Sequence, residues 1–325
     1  MKVVIPGEFE EVYKGSWKNK EVAMKRTKIG TLREGIVFRI EQEAISHLGL
    51  KHENIVTFYG FILSPEPVLI MQWVPTDLSS YLKRNFLIPW PLRWKIYKQI
   101  AKGMRYLHDS GVVHHDLRAS NVLLGPTGAP RCQLCGFGFG KWKTQTRLKN
   151  PTSKIQQEPH WLAPEYGLEG ESFGFECDVF SYGVVMYEVS TEGEVPFPNK
   201  PSSTTVLEMY KNGEIIAAFG RCKKPDPVFE KLAKRCCSVK PSNRPTFKQI
   251  LDDIEQITKN LEACCWSLVF SFSSFFFLLP LFFLFLVLFN GVPSVAWSPH
   301  PVFTTRIHQV FEILGDRGFE SSNRR

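Results

Sequence analysis

The sequence predicts an α+β fold in which strands come first, helices follow and a hydrophobic tail closes the chain. Three observations carry that expectation. Short β-branched apolar runs stand early, at Val22-Ala23-Met24 and Val68-Leu69-Ile70-Met71, as strands require. Later apolar residues recur at helical spacing. No charged residue occurs from Ala263 to Pro299.

The elements follow in order. Val3-Val4-Ile5 reads as the remnant of a first strand, so the chain is expected to start inside that strand, as a truncated gene model would. Ile40, Ala44, His47 and Leu48 then mark one face of a helix. Val68 to Met71 reads as a buried strand that runs into a connector at Gln72-Trp73-Val74. Ile96, Ile100, Met104 and Leu107 give helical periodicity from Trp94 to Leu107. Phe180 to Val189 is a largely apolar helix suited to a core, and Phe247 to Leu261 is a last helix, with Ile250, Leu251, Ile254 and Ile257 inward. No repeat is visible.

At 325 residues and 43% hydrophobic content, the chain has room for one two-part domain and a tail. Its net charge of +8 comes from basic residues spread along the sequence. No nucleic-acid motif accompanies them, so a nucleic-acid partner is not expected. The densest stretch, Lys141, Lys143, Arg147, Lys149 and Lys154, fits either an acidic partner or a solvated loop. Eight cysteines invite disulfide or zinc readings. However, Cys132-Gln133-Leu134-Cys135 reads as a strand, which points its two thiols apart. No second pair stands at ligand spacing. Reduced, mostly buried thiols are expected. Met1 to Gly7 lacks the apolar stretch of a signal peptide.

The chemistry is concentrated in a series of motifs. His114-His115-Asp116-Leu117-Arg118-Ala119-Ser120-Asn121 is followed by Cys135-Gly136-Phe137-Gly138, then by Ala163-Pro164-Glu165. In that order they resemble the protein-kinase signatures H-R-D-L-x-x-x-N, D-F-G and A-P-E. Val22-Ala23-Met24-Lys25 resembles the V-A-I-K strand, Asp178-Val179-Phe180-Ser181-Tyr182-Gly183 and Lys240-Pro241-Ser242-Asn243-Arg244-Pro245 the late motifs. Trp161-Leu162-Ala163-Pro164-Glu165 and Arg244-Pro245-Thr246-Phe247 are similar to the tyrosine-kinase and tyrosine-kinase-like branch.

The resemblance implies a two-lobed protein-kinase fold over residues 1–262, with a small β-rich N-lobe at 1–74 and a large helical C-lobe at 75–262. It implies ATP as ligand, met by Gly7, Val12, Ala23, Lys25, Met71, Gln72, Trp73, Val74 and Leu123. Lys25 is expected to pair with Glu43, with Glu41 as the competing partner. Asp116 would take the proton of the substrate hydroxyl, and Asn121 would hold a metal. Glu165 paired with Arg244, and Asp178, are implied as structural residues.

Three positions depart from the family pattern. Gly136 stands where the family has the aspartate that holds Mg²⁺, a cation normally held through carboxylates. His115 replaces an arginine, losing a planar charged fork. Ile5-Pro6-Gly7-Glu8-Phe9-Glu10-Glu11-Val12 keeps one glycine of the phosphate loop, and its glutamates bring negative charge towards a polyanion. Together they point to a pseudokinase, a nucleotide-binding switch or signalling scaffold, with Mg²⁺ poorly served. The alternative is a weakly active ATP-dependent kinase acting on Ser, Thr or Tyr of proteins, since Lys25, Glu43, Asp116 and Asn121 survive. A third reading is a non-functional gene fragment.

The tail divides into a hydrophobic segment at 263–290 and an unassigned stretch at 291–325. Trp266 to Phe289 is long enough to span a bilayer, which needs about 20 apolar residues. It would anchor a cytoplasmic domain to a membrane. The rival reading is a translated pyrimidine-rich intron, because Phe, Leu, Ser and Pro share such codons.

Overall fold

The computed structural model describes residues 3–6, 10–27, 44–62, 68–84, 88–125, 131–137, 159–165, 174–199, 203–219 and 227–260. The tail, Gly7 and Glu43 lie outside them, as does the basic stretch from Lys141 to Lys154.

Five strands come first: β1 (Val3–Pro6), β2 (Glu10–Trp17), β3 (Lys20–Thr27), β4 (Phe58–Ile62) and β5 (Val68–Gln72). They form one antiparallel sheet in the order β1-β2-β3-β5-β4. β2 and β3 join through a two-residue turn at Lys18-Asn19, both at positive φ (49° and 59°). That backbone matches the right-handed twist of a hairpin.

Register then decides which side chains share a face. Lys25 lies between Val12 and Leu69, and Ala23 between Lys14 and Met71. Alternation along a strand therefore puts Val12, Ala23, Lys25, Leu69 and Met71 on one side of the sheet. Ala23, Ala44, Val56, Leu69 and Met71 form a small core there. Only alternate residues of β5 are buried, Leu69 and Met71. The expected fully buried strand is instead a sheet strand with one covered face. Ala44 and His47, in a helical turn at 44–47 (α1), are also buried, whereas Leu48 is 58% exposed in the turn that follows. The inward set there is thus Ala44 and His47 without Leu48, because the helix has ended.

The larger part is helical: α2 (Leu78–Arg84), α3 (Trp90–Asp109), α4 (Phe175–Ser190), α5 (Ser203–Lys211), α6 (Ile215–Ala218), α7 (Pro227–Cys236) and α8 (247–260). Every residue of α4 from Cys177 to Ser190 is buried, so this helix is the axis of the core. α3 packs Trp94, Tyr97, Ile100, Met104 and Leu107 against it. The two are cross-tied, Tyr182 Oη donating to Tyr97 O and Tyr97 Oη to Met186 O, each at 3.1 Å. A glycine at 183 lets α4 approach Cys236 and Cys237 closely. α8 opens with a reciprocal cap: Thr246 N donates to Gln249 Oε1 (2.8 Å) and Gln249 N to Thr246 Oγ1 (3.3 Å).

A three-stranded sheet of β6 (Thr76–Asp77), β7 (Val122–Leu124) and β8 (Cys132–Leu134) lies at the junction. Leu134 N donates to Asn54 O, and Val56 N to Leu134 O, both at 2.9 Å. Asn54 Nδ2 reaches Cys132 O at 2.8 Å. These bonds fasten the segment before β4 to the strand that precedes Gly136. Among the described residues Cys132, Cys135, Cys177, Cys236 and Cys237 are free thiols, all buried except the half-buried Cys135.

Candidate functional site

Residues of the two parts meet in one apolar cluster. Val12, Phe58, Trp73, Leu123 and Cys135 pack against the small core that includes Ala23 and Met71. Five of the residues expected to meet a nucleotide, Val12, Ala23, Met71, Trp73 and Leu123, thus converge. At the end of β5, Gln72 N and Trp73 N are bonded internally, to Thr57 O (2.8 Å) and Glu21 O (3.3 Å). The Lys14 ammonium sits 5.3 Å from the Trp73 ring centre, and Val74 is buried. Lys25 projects from the face that carries Val12 and Ala23. Its expected partner Glu43, the competitor Glu41 and the loop glycine Gly7 lie outside the described residues.

Glu11 corrects one expectation. It does not bring free charge to the cluster. Val12 shares a face with Lys25, so Glu11, one residue earlier, faces the other way. There it accepts from Tyr13 Oη (2.6 Å) and Arg26 Nη2 (3.1 Å).

Asp116 and Asn121 form a closed unit. Asn121 Nδ2 donates to Asp116 O at 2.7 Å and to Asp116 Oδ2 at 3.1 Å. Arg118 Nε lies 3.8 Å from Asp116 Oδ1. Both neighbours hold the Asp116 carboxylate within the loop. Asp116 N donates to His114 Nδ1 at 3.2 Å. Glu188, buried on α4, accepts from Ala119 N (3.2 Å) and Trp161 Nε1 (2.7 Å), bracing the same loop.

Asp178 anchors this loop from the core. Fully buried, it accepts from His114 N (2.8 Å) and His115 N (2.7 Å), and meets His108 Nε2 at 2.9 Å. Burial alone would raise its pKa, but the His108 bond and the surrounding histidines outweigh that and hold it below the usual value. His115 adopts φ 59°, a left-handed conformation set by this anchoring. Farther down, Arg244 and Glu165 form a bidentate buried pair at 2.5 and 2.8 Å. Arg244 also donates to Ser238 O, Glu176 O and Val239 O.

One feature has no counterpart in the sequence reading. His47 is sandwiched between Phe58 and Phe137, with ring centres 5.3 and 3.9 Å away, and Phe137 meets His114 edge-on at 5.8 Å. With Asp178 bonded to His114 N, a continuous column runs from β4 to α4. Both His47 nitrogens are buried without a hydrogen-bond partner. Burial, with the nearby Lys25 and His114 charges, pushes its pKa down to about 3, so the ring is neutral. Burial lowers His114 as well, against the pull of Asp178 and Asp116. Phe137 was visible only as part of a motif, and His47 only as a helix position.

The residues present do not fit a magnesium ion. Mg²⁺ binds octahedrally through one or two carboxylates besides phosphates and water. Gly136 offers none, and its φ of +75° favours glycine. A Cβ added there would lie 3.2–3.3 Å from the Asn121 amide. Asn121 is a neutral ligand: its NH₂ donates to Asp116, and a cation could meet only its Oδ1. Among the described residues, no group of three or more His, Cys, Asp or Glu is placed to hold a metal.

Residues 1–254 match the protein tyrosine and serine/threonine kinase family, and the chain belongs to that family. A Dictyostelium discoideum protein with the name "Probable serine/threonine-protein kinase" is 31% identical over 263 residues, 78% of this chain and 60% of its own length. The serine/threonine-protein kinase STY46 of Arabidopsis thaliana is 27% identical over 261 residues, 79% of this chain and 44% of its own. The tyrosine protein-kinase src-1 of Caenorhabditis elegans is 31% identical over 254 residues, 74% of this chain and 45% of its own. The chain thus spans between about two fifths and three fifths of these relatives. The run from Trp266 to Phe289 lies outside the described residues, among which no helix is long and apolar enough to cross a membrane.

Proposed function

We propose that this protein is a slow ATP-dependent protein kinase, transferring the γ-phosphoryl group to Ser, Thr or Tyr hydroxyls of proteins. The observation that carries this reading is the Asp116–Asn121 unit, held ready by buried Asp178. Asp116 accepts the proton of the attacking hydroxyl, the new O–P bond forms, and the bond from the γ-phosphorus to the bridging oxygen of ADP breaks. Lys25 positions the phosphates and the cluster of Val12, Ala23, Met71 and Leu123 holds the base. Kinase relatives of both acceptor classes support the reading. The slowness follows from Gly136, since less charge is neutralised in the transition state.

Gly136 and His115 favour a second reading, a pseudokinase that binds nucleotide and signals through its surfaces. Either way the domain works in the cytoplasm, where ATP and free thiols coexist. Membrane anchoring through 266–289 rests on the sequence alone.

Incubation of the full chain with γ-labelled ATP and Ser, Thr and Tyr acceptor peptides separates the two. The kinase reading expects label in the peptides that Asp116→Asn reduces to background. Equal labelling by wild type and Asp116→Asn would leave the pseudokinase reading.

A further inference from the structure

The misfit between the site and magnesium has a consequence for the ligand itself, which rests on the cleft being a nucleotide site. We propose that the cleft takes its nucleotide as the metal-free polyanion, with Lys25 as the fixed counter-charge, and that divalent metal competes with binding.

Three observations converge. The space beside Asn121 where a metal-holding side chain would project is bounded by glycine backbone, with all three amide atoms of Asn121 only 3.2–3.3 Å from the position of a Cβ. The Asn121 amide is turned onto Asp116, donating to its carbonyl and its carboxylate, and Arg118 stands at the other carboxylate oxygen. That arrangement leaves Asn121 Oδ1, a single neutral oxygen, as what the amide can offer a hard cation that is normally held through carboxylates. Glu11 of β2 pairs with Arg26 on the opposite side of the sheet.

Lys25 lies on the side of β3 that carries Val12 and Ala23, in place to meet phosphates. Coulomb attraction to one lysine grows with the ligand's negative charge. Magnesium chelated by the phosphates in solution lowers that charge and brings a hydrated ion for which the site has no carboxylate. A normal metal-using site gains from the ion what this one cannot.

Calorimetric titration of the full chain with ATP, once in EDTA and once in excess Mg²⁺, tests this. The expected dissociation constant in EDTA falls below that in Mg²⁺. Lys25→Met weakens binding in both buffers. Gly136→Asp, which restores a carboxylate beside Asn121, turns the preference towards Mg²⁺. Should the positive φ at 136 prevent that variant from folding, wild type and Lys25→Met decide the matter alone. Binding as tight in Mg²⁺ as in EDTA, or tighter, overturns the proposal, and so does the absence of binding in both. Metal-free binding without any phosphotransfer would sink the kinase reading and leave this inference standing. Metal-dependent transfer would do the reverse.

Discussion

Replacing His47 by leucine should stabilise the protein and remove part of its sensitivity to acid. The ring lies between Phe58 and Phe137 with neither nitrogen bonded, and its pKa is pushed from 6.5 down to about 3. A group whose folded-state pKa is depressed takes up its proton first in the unfolded chain. A neutral buried histidine therefore costs nothing above about pH 6.5 and drains stability as the pH falls towards its folded value. Linkage puts the loss at about 1.4 kcal/mol by pH 5.5 and about 2.7 kcal/mol by pH 4.5. His52 and His114 are shifted the same way and stay in both proteins, so they cancel in the comparison. Asp178, held below the usual carboxylate value, titrates beneath this window. At neutral pH, leucine also removes two unsatisfied buried nitrogens, worth about 1 kcal/mol or more against the ring stacking it gives up. Urea unfolding followed by tryptophan fluorescence across these pH values measures both effects. Parallel stability curves for wild type and His47→Leu between pH 6.5 and 4.5 would refute the reasoning.

Two further perturbations test the frame that holds the site. Glu165→Ala leaves the Arg244 guanidinium, fully buried, with backbone carbonyls only; the cost should be about 3–5 kcal/mol. Differential scanning calorimetry should show a fall in Tm of about 10 °C for a domain of this size. The double change to Glu165→Leu with Arg244→Met should recover most of that loss. Gly183→Ala places a methyl group against Cys237 Sγ and Cys236 Cβ, where α4 meets α7; overpacking should cost about 1–3 kcal/mol in urea unfolding. Cys237→Ala in the same chain should relieve it.

Much of this architecture was legible in the sequence. The helices around Trp94–Leu107 and Phe180–Val189 are present and run longer than their apolar cores, over Trp90–Asp109 and Phe175–Ser190, and the last helix is described over 247–260. Spacing alone cannot see those ends. Val68 to Met71 read as a buried run because four apolar residues in a row hide their alternation; only register separates Leu69 and Met71 from Val68 and Ile70. In the site, Asp116 and Asn121 of one motif and Gly136 of the next lie side by side. Composition misled at Glu11, whose face is fixed by strand register and not by its nearness to Val12 in sequence. The column through His47 was hidden for another reason. It joins β4, α1, Phe137 and the loop that carries His114, four segments with no shared pattern, and a histidine in an aromatic stack has no signature in one sequence.

The account stands most directly on whether Asp116 and its neighbours move phosphate at all. A single-turnover experiment, with the full chain in excess over γ-labelled ATP and an acceptor peptide pool, follows label leaving ATP for peptide over hours. A slow transfer that disappears in Asp116→Asn is the predicted result. Wild-type transfer no faster than that of the Asp116→Asn variant would contradict it.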